Sequence, residues 1–347
     1  MLLGEVLALL FDPPRRLFSM ATAFWVSQTL FTATELQVFT ILEKSPMTVE
    51  EFCRATDLQA RPANALLGSL VGLGLLRFRR GRYSNARIAS RWLVKGKPEY
   101  LGDGLVMLKN RLYDPWGRLT EALVHNQPTS FEPSRGELFD YLDRHPKEQT
   151  ELARAHHALS LVPARELAHR FDFAKYQHLA DLGGGTGIYA IEIAKRHPQL
   201  KVTVVDRMQV CQVAQEYIQA GRFDGRVATT VGDFFRDPLP SGTDVVLLSH
   251  VLHDYSPAEN AGLLRHISSQ LPPHGGLLLS EWLWNEDRTE PLSASLMSLT
   301  MMIDTRHGRT YTYAELHRLL RDAGFRTIER KSLYGPAQLV TAWKASS

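Results

Sequence analysis

His178-Leu179-Ala180-Asp181-Leu182-Gly183-Gly184-Gly185-Thr186-Gly187-Ile188-Tyr189-Ala190 opens the second half of this 347-residue chain and decides how the rest is read. A short apolar run ends in a carboxylate, passes through four glycines and enters a stretch of helical spacing at 189–196. Glycine lets a backbone approach a ligand closely, and the helix that follows presents free amides to it. Gly185 to Ala190 alone fits the dinucleotide pattern G-x-G-x-x-A, so the glycines point to a nucleotide-like ligand without choosing one.

Downstream, β-rich runs at 201–206, 226–231, 245–249 and 277–281 alternate with helical stretches at 210–220 and 258–271. Such alternation predicts a parallel sheet with helices on both faces, a Rossmann-like α/β domain. A helix at 313–323 and strands at 326–332 and 339–344 complete it. Ligands of open parallel sheets bind beyond the carboxyl ends of the strands. Each of the five strands ends in, or leads into, a residue fit for chemistry: Asp181, Asp206, Gly232-Asp233-Phe234-Phe235, His250 to Asp254, and Glu281. Asp181 before the glycines would repel a pyrophosphate and suit a cation. Asp206 stands where a strand-end carboxylate grips ribose hydroxyls. Asp233 offers an acceptor to an adenine amino group, with Phe234 as an aromatic face. This set favours S-adenosylmethionine, a phosphate-free cationic nucleoside, over a nicotinamide dinucleotide.

The first half has a different texture. Phe24, Leu30, Phe31, Leu36, Val38, Phe39 and Leu42 recur near helical spacing in a mostly uncharged stretch, more apolar surface than one leading helix buries alone. Thr48-Val49-Glu50-Glu51 reads as a helix cap, and 76–84 alternates about Gly81 like a small hairpin. Helix, turn, helix and hairpin predict a winged helix. The expected domains are a winged-helix dimerisation region at 1–105, a helical linker at 106–168 and the Rossmann-like domain at 169–347.

Lys+Arg total 40 against Asp+Glu 37, a net charge of +3, an excess too small to announce a nucleic-acid or membrane protein. Two cysteines cannot build a disulfide framework, which suits a reducing cytoplasm. The apolar opening at 1–11 is broken by Glu5 and precedes Arg15-Arg16, the reverse of a secretory signal. No stretch approaches the roughly 20 apolar residues of a membrane span. His250, Asp254 and His266 match no standard metal spacing, so no metal is expected.

Asp181 to Gly187, Gly232 to Pro240, Val251-Leu252-His253-Asp254-Tyr255 and Gly308-Arg309-Thr310 together resemble the plant-type and hydroxyindole-type (acetylserotonin-like) O-methyltransferases over nearly the whole chain. The resemblance implies S-adenosylmethionine as cofactor, a small aromatic hydroxyl compound as acceptor, and a homodimer through the N-terminal region, with neither nucleic acid nor membrane as partner. It implies that Gly183 and Gly185 line the cofactor, Asp206 binds its ribose, and Asp233 and Phe234 hold its adenine. His253 is then the general base, oriented by Glu281. His250 falls where a Lys or Arg of the family approaches the cofactor, and Met301 and Met302 fall on the acceptor side, with Trp25, Met107, Trp116 and Trp282 as weaker candidates. The chemistry stands unaided: a phenol of pKa near 10 needs a base at neutral pH.

Besides Ser249-His250 in place of that Lys or Arg, the sequence departs from the family in two places. Gly-x-Glu-Arg-Thr becomes Arg306-His307-Gly308-Arg309-Thr310 and lacks the acid, and His156-His157 replaces an apolar linker residue. Three other functions fit parts of the sequence: a non-methylating enzyme retaining the cofactor, a DNA-binding regulator using Arg77, Arg79, Arg80, Arg82, Arg87 and Arg91, and a nicotinamide oxidoreductase.

Overall fold

The computed structural model describes residues 12–131 and 137–344; the apolar opening at 1–11 lies outside them. The chain divides into two compact units at Lys109/Asn110, so the helical stretch expected as a linker from 110 onward belongs with the sheet.

In the first unit, helices Pro13–Ala21, Ala23–Glu35 and Val38–Lys44 precede the helix pair Val49–Thr56 and Ala60–Gly72. Thr48 and Glu51 form a reciprocal capping box that starts the first of that pair, as the sequence signals. Strands β1 (Leu76–Arg79) and β2 (Arg82–Asn85) follow as an antiparallel hairpin. Arg80 and Gly81 both take positive φ at its tip, the backbone that a two-residue hairpin turn requires. Phe39, Phe52, Leu67 and Leu70 fill the core between these elements. By contrast, Leu17, Phe18, Met20, Phe24, Trp25 and Val26 are exposed on the first two helices.

The second unit is built on strands β3 (His178–Leu182), β4 (Lys201–Asp206), β5 (Val227–Val231), β6 (Val245–Ser249), β7 (Gly276–Trp284), β8 (Tyr311–Thr312), β9 (Phe325–Tyr334) and β10 (Ala337–Lys344). Their order is β5-β4-β3-β6-β7-β10-β9, with β8 beside the end of β7. β3 to β7 run parallel, and β10 enters antiparallel between β7 and β9. One apolar core packs helices Pro146–Arg170, Ile188–Arg196 and Met208–Ala220 on one face; another packs Pro257–Gln270 and Tyr313–Asp322 on the other. β3 and β6 are neighbours in space although β4 and β5 intervene in sequence. Their carboxyl ends therefore splay the loops apart and open a crevice. Among the described residues no helix is long and apolar enough to cross a membrane.

Candidate active site

The glycine loop caps the Ile188–Arg196 helix and leans on the ends of two strands. Gly183 donates its N–H to the Val205 carbonyl at 2.8 Å, and Gly185 donates to Asp206 Oδ2 at 2.9 Å. Gly183 holds φ +65, and a β-carbon there would stand 3.0 Å from Val251 Cγ2 and 3.5 Å from the Phe234 ring. The loop is thus drawn tight against Phe234, which sits in an aromatic cluster with Phe235, Tyr255 and Phe139. Asp206 Oδ1 accepts the Arg207 N–H at 2.7 Å, so both oxygens of this carboxylate already hold backbone. Asp233 is exposed, and its Oδ1 accepts from the Phe235 N–H at 3.0 Å.

Asp181 is fully buried, and neither of its oxygens completes a hydrogen bond. Burial, helped by the Asp206 charge, pushes its carboxyl up to about 7 against a smaller pull from the Ala190 amide. Tyr189 OH, Ser249 Oγ and Ser280 Oγ are also buried and lie close to one another, and Ser249 and Ser280 are register partners on β6 and β7. Burial pushes the Tyr189 phenol up to about 12. A buried carboxylate lacking donors is costly in a folded protein. Here it stands one residue before the glycine loop.

Beyond β6 the chain turns through His250, at φ +57, into a 3-10 turn, Leu252–Asp254. This turn carries His253 to β7, where Glu281 Oε2 lies 2.8 Å from His253 Nδ1. Glu281 Oε1 accepts the Val251 and Leu252 amides at 3.1 and 2.9 Å, so one buried carboxylate fixes both the turn and the ring. On the other side of the ring, Asp254 Oδ1 is 3.6 Å from His253 Nε2. Burial works to lower His253, but the charges of Glu281, Asp254 and Asp304 outweigh it and hold the ring up at about 9. Burial works to raise Glu281, and the facing imidazolium outweighs it and lowers the carboxyl. Asp254 is pushed up to about 7, first by burial and further by the charges of Asp304 and Glu281.

His250 lies 5.6 Å from His253 and 6.4 Å from Trp282 by ring centroids, and burial lowers it to about 4. Among the described residues, His250, His253 and Glu281 form one group with metal-ligand chemistry, their donor atoms all within 4.8 Å of one another. Met301 and Met302 lie on the helix Leu292–Asp304; Met301 is buried, while Met302 lines a cleft of about 200 Å³ with Asn126, Thr305, Arg306, His307 and Gly308. Trp116 is half-buried in the same unit, whereas Trp25 and Met107 belong to the first.

Sequence reading alone missed several partners. Arg111 and Asp304 form a mostly buried ion pair at 2.6 Å, and Ser130 Oγ donates to the same Asp304 oxygen at 2.7 Å. Arg111 lies in a π-helical turn, Leu108–Tyr113, and His156 feels its charge together with those of Asp304 and His253. His156 is reached by solvent yet ringed by protein, and burial lowers it to about 4. His157 Nδ1 meets Thr186 Oγ1 at 2.7 Å and stacks on Tyr217, which ties the long helix to the glycine loop. The paired histidines were a visible signal; the Arg111–Asp304 pairing, 193 residues apart, left none.

A family model described as the O-methyltransferase domain matches residues 116–326, and another described as the O-methyltransferase dimerisation domain matches 18–95. The chain is 38% identical to a 3-hydroxy-5-methyl-1-naphthoate 3-O-methyltransferase of Streptomyces sahachiroi, covering 90% of this chain and 89% of that one. It is 33% identical to the tetracenomycin polyketide synthesis 8-O-methyl transferase TcmO of Streptomyces glaucescens, over 95% and 97%. The crystal structure of human N-acetylserotonin methyltransferase in complex with SAM superposes with a TM-score of 0.90 at 31% identity, covering 96% of this chain and 98% of that one. Crevice, glycine loop and matched length agree: the chain belongs to the O-methyltransferase family.

Proposed function

We propose that the protein transfers the methyl group of S-adenosylmethionine to the hydroxyl of a small aromatic acceptor, with His253 as general base, and works as a homodimer through its first unit. The observation that carries the base assignment is the 2.8 Å contact of His253 Nδ1, just beyond β6 (the neighbour of the glycine loop's own strand), with a buried Glu281 on β7 alongside it. S-adenosylmethionine, when bound, supplies an electrophilic methyl on a cationic sulfur.

The residues present fit that cofactor. Asp181 is a buried carboxylate still in need of donors, and the cofactor's ammonium would meet that need. Gly183 and Gly185 line it, Asp206 takes the ribose hydroxyls on its remaining lone pairs, and Asp233 and Phe234 hold the adenine. His250, neutral at pH 7, closes the far side beside Trp282.

In the neutral ring Glu281 keeps the proton on His253 Nδ1, which leaves the Nε2 lone pair to take the acceptor's proton as its oxygen attacks. The same carboxylate then stabilises the imidazolium. Both Glu281 oxygens are already spent on two amides and one ring nitrogen, which supports an acid–base role over metal ligation. Met302, with Met301 behind it, forms an adaptable wall for an aromatic ring. The relatives that act on a hydroxynaphthoate and a tetracenomycin intermediate support a fused or substituted phenol as acceptor. Exposed Phe18, Phe24 and Trp25 and the dimerisation-domain match support the homodimer.

A screen of phenolic acceptors with isotope-labelled S-adenosylmethionine, read by product mass, tests the whole reading. Absence of label from every phenol, with S-adenosylhomocysteine still bound, would refute methyl transfer to phenols.

A further inference from the structure

A base on a three-residue 3-10 turn is poorly held by the turn itself, because such turns have weak internal hydrogen bonds. Glu281 fixes this turn from its amide side. The carbonyl side has its own set of partners. Asn260, fully buried on the helix Pro257–Gln270, donates Nδ2 to the Leu252 carbonyl at 2.7 Å, with the Tyr255 carbonyl farther off at 3.3 Å. The same Nδ2 reaches Tyr311 OH at 2.8 Å, and that hydroxyl donates onward to the Tyr255 carbonyl at 3.0 Å. The Arg309 N–H donates to the His253 carbonyl at 2.7 Å. Tyr311 is itself anchored on β8, whose register partner on β7 is Leu283, two residues beyond Glu281.

The segment before β8 must come close to do this. A β-carbon at Gly308 would stand 2.5 Å from the His253 carbonyl oxygen, 2.2 Å from Thr305 Oγ1 and 3.2 Å from Asp254 Cα. The acid missing at this position thus has no room: its place is taken by backbone closing on the base turn.

We propose that Asn260 and Tyr311, with Gly308 allowing the approach, are positioning residues for the reaction: they clamp the carbonyls of the His253 turn to the strand that carries Glu281. The inference rests on His253 being the base. A clamp of this kind matters because small misplacements of a reacting group cost large factors in rate.

The test uses the full-length protein, labelled S-adenosylmethionine and phenols of graded acidity. Tyr311→Phe keeps the ring and removes one hydroxyl; Asn260→Ala removes the amide's bonds to the turn and to Tyr311 and serves as the stronger variant if it folds. Tyr311→Phe should lower kcat about tenfold, and Asn260→Ala about a hundredfold, for weakly acidic phenols. The loss should shrink for acceptors already ionised at the assay pH. Affinity for S-adenosylhomocysteine by calorimetry should stay within about twofold of wild type. A rate unchanged in Tyr311→Phe, or a loss equal across all acceptor acidities, overturns the clamp. His253→Ala, run in parallel, separates the two ideas. If it keeps wild-type turnover, the base assignment itself falls and takes the clamp with it. If it is inactive while Tyr311→Phe is normal, only the clamp falls.

Discussion

Replacing Glu281 by Gln tests the site at its most connected atom. The carboxylate serves three donors: two amides on Oε1 and the ring nitrogen on Oε2. Gln has one acceptor oxygen. If that oxygen stays with the Val251 and Leu252 amides, its NH₂ faces His253 Nδ1, which must then become the acceptor. The proton moves to Nε2, and the ring presents an N–H where the acceptor's hydroxyl needs a lone pair. The charge is lost as well. A buried charge-assisted hydrogen bond is worth about 1.5–3 kcal/mol, which at 1.36 kcal/mol per unit lowers the His253 pKa by about one to two units. The ring should titrate near 7–8 instead of about 9. At pH 7 the neutral fraction of cofactor-free protein would rise from about 1% to roughly 10–50%. More of the ring is then deprotonated, yet turnover should fall about 100-fold or more, because tautomer and imidazolium stabilisation are both wrong. Proton NMR of the His253 ring against pH, in wild type and variant, reads the first effect; single-turnover methyl transfer reads the second. An unchanged titration midpoint with near-normal turnover would refute the reasoning.

Other expectations follow from the same contacts. In the wild type, kcat/KM should climb with pH from 7 to about 9 and then level, because only the neutral ring accepts a proton and the raised value keeps it charged below; a flat profile over that range would remove His253 as base. Asp206→Ala should weaken S-adenosylhomocysteine binding about ten- to a hundredfold by calorimetry, since the glycine loop loses its anchor together with the proposed ribose contact. Asp181→Asn should act in opposite directions on stability and binding. The folded carboxyl keeps its proton up to about 7 while the unfolded one ionises near 3.8, so native stability falls as pH rises between those values. Removing that penalty should stabilise cofactor-free protein at pH 8 by up to on the order of 4 kcal/mol in urea denaturation, while S-adenosylhomocysteine affinity drops. Phe18→Asp with Trp25→Asp should convert a particle of about twice 39.2 kDa into one of 39.2 kDa by light scattering; a wild-type monomer at micromolar concentration would end the dimer proposal.

The sheet unit was legible because the inner parallel strands β3, β4, β6 and β7 are largely buried and read as apolar runs bounded by helix spacing, while the edge strand β5 is mostly exposed. β3, β4 and β6 fall where periodicity puts them, and β5 starts one residue later than expected. β7 runs three residues past the expected end at Glu281, because Leu283 and Trp284 gain β8 as a partner, and a two-residue strand carries no period of its own. Glu281 was readable from its strand and His253 from the turn that follows β6, since the ends of neighbouring parallel strands converge by topology. Arg111, Ser130 and Asp304 were not, since nothing local marks two charges that meet only through helix packing. The Asn260–Tyr311 clamp escaped for a similar reason: its acceptors are main-chain carbonyls, which every sequence has.

Because His253 follows β6 and Glu281 sits within β7, the spacing of the dyad is inherited from the fixed separation of adjacent strands in a dry parallel sheet. The proposed methionine wall is borne by a separate helix outside that sheet. Drift in the wall can therefore retarget the enzyme to a new ring system without retuning its proton chemistry. A scaffold so divided is a ready starting point for laboratory diversification: libraries at Met302 and its cleft neighbours should yield altered acceptor profiles at little cost to folding, whereas equal numbers of changes at the strand ends should yield mostly inactive protein.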